Sequence, residues 1–176
     1  VTANYHSLIE RFLTDVAADS GRATNVYATD TQYDDSTNTF IQYQQTFGGT
    51  LTDTNAFPAT ASGCPTTDGT ITVPNCLTQT QEATELDNFL QANSMPRGID
   101  QIYFLVLPDN VETCVDDFSD CGNILNLSPR YCAYHSSFDI GGHGLTLWAN
   151  EPYIGFASSH CNSGDSTKRP NGDVTD

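Results

Sequence analysis

The sequence predicts an α/β (α+β) fold, a mixed twisted sheet with two packed helices and three disulfides. Three observations carry this reading. Two segments place apolar residues at helical spacing, several short β-rich runs alternate with them, and six cysteines occur in a chain with a single lysine. At 176 residues the chain is long enough to bury roughly 70% of its unfolded surface. It reads as one domain, residues 1–176, with residues 50–78 as a surface excursion.

Residues 5–18 form the first expected helix. Leu8, Ile9, Phe12, Leu13, Val16 and Ala17 recur at helical spacing, and Glu10, Arg11, Asp15 and Asp19 face away. Asn4 suits its start and Gly21 its end. Residues 24–29 then read as a strand. A second extended segment, 39–47, carries Phe40, Tyr43 and Phe47 and is broken by Gly48-Gly49. The Thr/Gly/Pro/Asn-rich stretch 50–78 reads as an excursion stapled by Cys64 and Cys76. Residues 80–93 form the second helix, with Ala83, Leu86, Phe89 and Leu90 on one face and Glu82, Glu85 and Asp87 near its positive end. The apolar run 102–107, closed by Pro108, predicts a central strand covered on both faces. Segments 131–135, 145–149 and 153–157 complete the sheet, and the chain turns polar from Asn162 onward.

Charge and cysteines narrow the setting. The 22 acidic residues against 6 basic ones give a formal charge of −16, which repels nucleic acid and anionic membrane surfaces, so both are excluded as partners. No apolar run is long enough to span a membrane as a helix. An even cysteine count in a Thr-rich, lysine-poor chain predicts an oxidising compartment. The expected bridges are Cys64–Cys76, Cys114–Cys121 and Cys132–Cys161. No C-x-x-C spacing supports a zinc knuckle. The chain begins with Val1, as after removal of a leader, and is expected to be secreted and extracellular. Asn126-Leu127-Ser128 has the form of a glycosylation sequon, but Pro129 follows it and disfavours modification.

No complete catalytic motif is present, and no catalytic residue is assigned. A zinc hydrolase needs closely spaced imidazoles and a Glu base, and no H-E-x-x-H occurs. His6 lies on a helix surface, and His143 sits in the turn-like Gly141-Gly142-His143-Gly144. His135 and His160 flank Cys132 and Cys161, and with Asp173 and Asp176 they are the weak metal candidates. The tail carrying Asn171, Asp173 and Asp176 has oxygen ligands for calcium but no EF-hand spacing. Ser136, Ser137, Ser158 and Ser159 neighbour histidines without a nucleophile elbow. The carboxylates Asp116, Asp117, Asp120 and Glu151 offer acid/base pairs, though an acidic loop between cysteines is ordinarily a solvated loop. Tyr27, Tyr33, Tyr43, Tyr103, Tyr153 and Trp148 read as core before they read as a sugar-stacking platform.

Several patches in one order carry a resemblance. Thr24-Asn25-Val26-Tyr27 with Gln32-Tyr33, Phe47-Gly48-Gly49-Thr50, and Tyr103-Phe104-Leu105-Val106-Leu107-Pro108 are three of them. Cys132-Ala133-Tyr134-His135-Ser136-Ser137-Phe138, Asn150-Glu151-Pro152-Tyr153 and Pro170-Asn171-Gly172-Asp173 follow. Together they resemble a group of secreted microbial proteins related in pattern to plant Exordium (phosphate-induced) cell-wall proteins. The resemblance implies the N-terminal part of a zincin-like fold, in which the next element is a helix with a His-Glu pair and a downstream acidic ligand. Asp176 ends the sequence ahead of such a helix. The expectation is therefore the N-terminal portion of a secreted zincin-like metallopeptidase relative, binding zinc only with that missing segment and inactive without it. Its expected partners are a cleaved C-terminal fragment or copies of itself, and its substrate is protein or cell-wall material. The alternative is a non-catalytic, disulfide-rich extracellular module for cell-wall binding or self-assembly, suggested by the Thr-rich surface and the unpaired strand edge around residues 40–47.

Overall fold

In the computed structural model, which describes residues 3–68, 71–122 and 131–153, the chain forms two compact units, Val1–Asp53 and Thr54–Asp176. The first unit holds α1, Ala3–Ala18, as its apolar spacing predicts. Leu8 and Phe12 on that helix are exposed. The expected strand at 24–29 is instead a 3-10 helix, Val26–Gln32. Local side chains decide this. Asn25 caps the turn by accepting from the Tyr27 backbone N–H, and the hydroxyls of Thr29 and Thr31 donate to the Val26 and Ala28 carbonyls. Such bonds compete directly with a sheet ladder.

The expected strand at 39–47 is also absent. Among the described residues its one ladder contact is the bridge between Asp34 and Phe40. Phe40 and Ile41 stay exposed, and Tyr43 turns inward. The Tyr43 hydroxyl donates to the Val16 carbonyl at 2.8 Å and accepts from Asn25 Nδ2 at 2.8 Å. The segment is thus tied to the end of α1 by side chains. It offers no strand edge.

The second unit carries the α/β architecture. A short hairpin, β1 (Thr67–Asp68) with β2 (Ile71–Thr72), leads into β3, Asn75–Thr78. β3 pairs in parallel with β5, Val111–Cys114, and both strands are almost wholly buried. Both were missing from the expected elements. α2, Gln79–Ala92, starts at a capping box in which Thr78 and Gln81 satisfy each other's backbone N–H groups. β4 (Gly98–Val106), β6 (Tyr134–Phe138) and β7 (Thr146–Glu151) form a mixed sheet in the order β4-β7-β6. β4 runs parallel to β7, and β6 runs antiparallel to it.

Among the described residues β4 is therefore an edge strand and not the doubly covered centre. Tyr103 and Leu105 pack toward α2, whereas Ile99, Ile102 and Phe104 are exposed, Ile99 at 75%. The centre is β7. Its Trp148, 1% exposed, packs with Ala83, Leu86 and Leu90 of α2 and meets the rings of Tyr134 and Phe138 edge-on. The Cys64–Cys76 and Cys114–Cys121 bridges are both present. The expected Cys132–Cys161 bridge and most of the strand at 153–157 lie outside the described residues.

Candidate functional site

Two charged residues of α2 face inward. Glu82 precedes Leu86 by four positions and Asp87 follows Ala83 by four, so helical geometry places both on the apolar face. Both are 1% exposed. Glu82 accepts from Asn150 Nδ2 at 3.0 Å and from the Tyr134 hydroxyl at 3.1 Å. Asn150 in turn lies 3.4 Å from Thr113 Oγ1, which shares a 2.6 Å hydrogen bond with the Tyr131 hydroxyl. Burial pushes the Glu82 carboxyl well above its usual range, and the bonds from Tyr134 and Asn150 only partly oppose it. The phenols of Tyr131 and Tyr134 are pushed up by burial and then by Glu82. This centre joins α2, β5, β6 and β7 and is closed to substrate.

Asp87 organises a second centre. Arg97 Nη1 lies 2.8 Å from its Oδ1, while His143 Nδ1 at 2.9 Å and Gln91 Nε2 at 2.8 Å meet its Oδ2. Arg97 also donates to Thr146 Oγ1 and to the Asp87 carbonyl. Burial works against the Asp87 charge, but the His143 bond and the Arg97 guanidinium outweigh it and hold the carboxyl below its usual range. The imidazole packs over Gly141, where a Cβ would lie 2.9 Å from His143 Cε1. The His143 turn thus fastens the β6–β7 connection to α2.

The accessible feature is a half-open pocket of about 270 Å³. Gln79, Thr80 and Ala83 of α2 form one side, and Ser137, Phe138 and Ile140 with Trp148 form the other. Asp116 stands at this pocket, exposed. Its Oδ1 accepts from the Thr80 backbone N–H at 2.9 Å and its Oδ2 from the Thr80 hydroxyl at 2.6 Å. Those bonds hold its carboxyl below the usual range. β6, which lines the pocket, has no strand on its outer side among the described residues.

Of the sequence-predicted residues, Asp116, Ser137 and Trp148 line this pocket. His135 is exposed on β6 opposite Ala149. His160, Asp173, Asp176, Ser158 and Ser159 lie outside the described residues, as does the calcium-type tail. Asp117 is occupied within its own loop, accepting from the Ser119 N–H and hydroxyl. Glu151 is raised by burial. Trp148 is core, as expected. Among the described residues one group of three or more side chains is close enough to hold a metal: Cys64, Cys76 and Cys114. Their sulfurs are already bonded in the two disulfides. These residues therefore do not fit a zinc ion, and no hydrolytic step is assigned to them.

Glu82, Asp87, Arg97, Asn150 and Thr113 were not singled out as a site by sequence. The i, i+4 relation of the two acids to Ala83 and Leu86 was the available signal. No protein-family model matches the chain, and no curated protein or solved structure does either.

Proposed function

We propose that the second unit is the polypeptide-holding part of a secreted, zincin-like metallopeptidase relative, whose metal ligands come from a segment outside the described residues. The observation that supports this most is β6. It is an antiparallel strand that has no neighbour on its outer side among the described residues, and it is bordered by a pocket of side-chain size. An extended peptide can add to such an edge through main-chain hydrogen bonds and drop a side chain into the neighbouring pocket. The buried centres at Glu82 and Asp87 make that edge rigid by pinning β6 and its turn to α2. The ordered sequence patches supply the peptidase part of the reading.

The test has two arms. Zinc content of the secreted protein and chelator-sensitive cleavage of casein check the peptidase relation. A secreted form with neither zinc nor cleavage would end it. Hydrogen exchange of residues 134–138, with and without casein, checks the docking role, and slower exchange there is the expected result. Unchanged β6 exchange under saturating casein would remove it.

A second reading is favoured by β4. Its exposed Ile99, Ile102 and Phe104 at the opposite edge suit a non-catalytic extracellular module that self-assembles through this strand. Sedimentation velocity decides it: self-association abolished by Ile102→Lys supports assembly, and a strictly monomeric wild type excludes it.

A further inference from the structure

We infer that the pocket between α2 and β6 takes a lysine or arginine side chain of the bound polypeptide, with Asp116 as the residue that selects it. This rests on the reading of β6 as the strand that holds polypeptide. The pocket has two chemical halves. Ala83, Phe138, Ile140 and Trp148 give an apolar wall suited to a methylene stem, and the Asp116 carboxylate gives an anionic end. Long cationic side chains divide in just this way, burying the stem and keeping the charge at a polar rim.

The position at the start of α2 would by itself favour an anion. The structure removes that preference. The Thr80 N–H is bonded to Asp116 and the Gln81 N–H to Thr78. Asp116 brings a full negative charge against the roughly half positive charge of a helix N-terminus. Glu82 nearby is held toward its neutral form and does not crowd the site with a second charge. Among the described residues no cation is bonded to the carboxylate. Arg97 is the only lysine or arginine among the described residues of this unit, and Asp87 holds it elsewhere. The net charge of −16 adds a long-range attraction for basic segments.

The test uses blocked, otherwise neutral, β-prone short peptides that differ at one central residue: lysine, arginine, norleucine or glutamate. Trp148 is the only tryptophan of the chain and lines the pocket, so its fluorescence reports occupancy. The lysine and arginine peptides are expected to bind about five- to tenfold tighter than norleucine, as an accessible charge-assisted bond allows. Glutamate is expected to bind weakest. The preference should shrink between about 20 mM and about 500 mM salt. Asp116→Asn retains an acceptor for Thr80 and should bring the lysine-to-norleucine affinity ratio down to about one.

Equal affinity for lysine and norleucine peptides in the wild type overturns the inference, as does a full preference surviving in a folded Asp116→Asn. The wild-type ratio and its salt dependence decide the matter even if the variant is unstable. Absence of binding by every peptide, with no exchange protection of β6, removes the docking reading and this inference together. Binding without discrimination removes only the inference.

Discussion

Replacing Glu82 by Gln isolates a single ionisation. Glu82 is 1% exposed, and burial lifts its carboxyl well above its usual 4.5. The native chain therefore keeps a proton that the unfolded chain loses above that pH. The stabilisation is complete below the unfolded value and is lost as pH rises through the folded one. Across that window the slope approaches about 1.4 kcal/mol per pH unit, a ceiling of about 3 kcal/mol by pH 7. Gln keeps a carbonyl acceptor for Asn150 and Tyr134 and has no proton to lose. Urea unfolding with the bridges intact, repeated at intervals of pH, measures the difference. The variant should lie within about 1 kcal/mol of wild type near pH 5 and be the more stable protein near pH 8. Below the usual aspartate value of 3.8 both proteins should weaken together, because the lowered carboxyls of Asp87 and Asp116 lose their contribution as pH falls. Parallel stability curves between about pH 5 and about pH 8 would refute the reasoning, because Glu82 would then titrate alike in both states.

Two further perturbations test the frame around the pocket. Asp87→Ala leaves the Arg97 guanidinium, 9% exposed in its side chain, without its carboxylate. A loss of about 3–5 kcal/mol is expected in urea unfolding; a loss below about 1 kcal/mol would mean that Arg97 finds another partner or water. Gly122→Ala places a Cβ 2.7 Å from Glu112 Oε1 and 3.1 Å from Thr113 Oγ1, both inside the core. A lowered melting temperature equivalent to about 1–3 kcal/mol is expected, and an unchanged one would show that β5 shifts freely.

The two α-helices were legible because their information is local: the apolar period lies within each segment, and the capping residue of α2 directly precedes it. Sheet order was not. The run at 102–107 marks a strand correctly, but continuous apolarity does not say whether the second face is covered, and Ile102 and Phe104 remain open. β3 was hidden in a Thr/Pro-rich stretch because its partner, β5, lies more than thirty residues away. The acids of α2 show the same limit. Their spacing places them on the apolar face, yet charge argues for solvent. The partners that reverse that argument, Asn150 for Glu82 and Arg97 with His143 for Asp87, come from other elements. In the first unit, local bonds from the side chains of Asn25, Thr29 and Thr31 favour a 3-10 helix over the extended segment expected there.

Cysteine pairing, read from sequence, reaches the pocket by way of the loop it closes. Cys114 ends β5 and is bonded to Cys121. Between them Val115 donates to the Asp120 carbonyl and Phe118 donates to Val115. Phe118 adopts a left-handed φ of 58° and rests its ring against Gly63, where a Cβ would lie 3.2 Å away. The loop is thus clamped by the bridge, by its own backbone and by that contact. An acidic loop of this kind is generically a solvated one, and Asp117 conforms, its exposed carboxylate accepting from the Ser119 N–H and hydroxyl within the loop. Asp116 differs by reaching Thr80. Position, not loop charge, is then the determinant. Asp117→Asn removes the same unit of charge one residue away and should leave the lysine-over-norleucine preference within about twofold of wild type, whereas Asp116→Asn removes it. Equal losses in the two variants would reduce the pocket to a diffuse acidic surface, on which neither Trp148 nor β6 has a part.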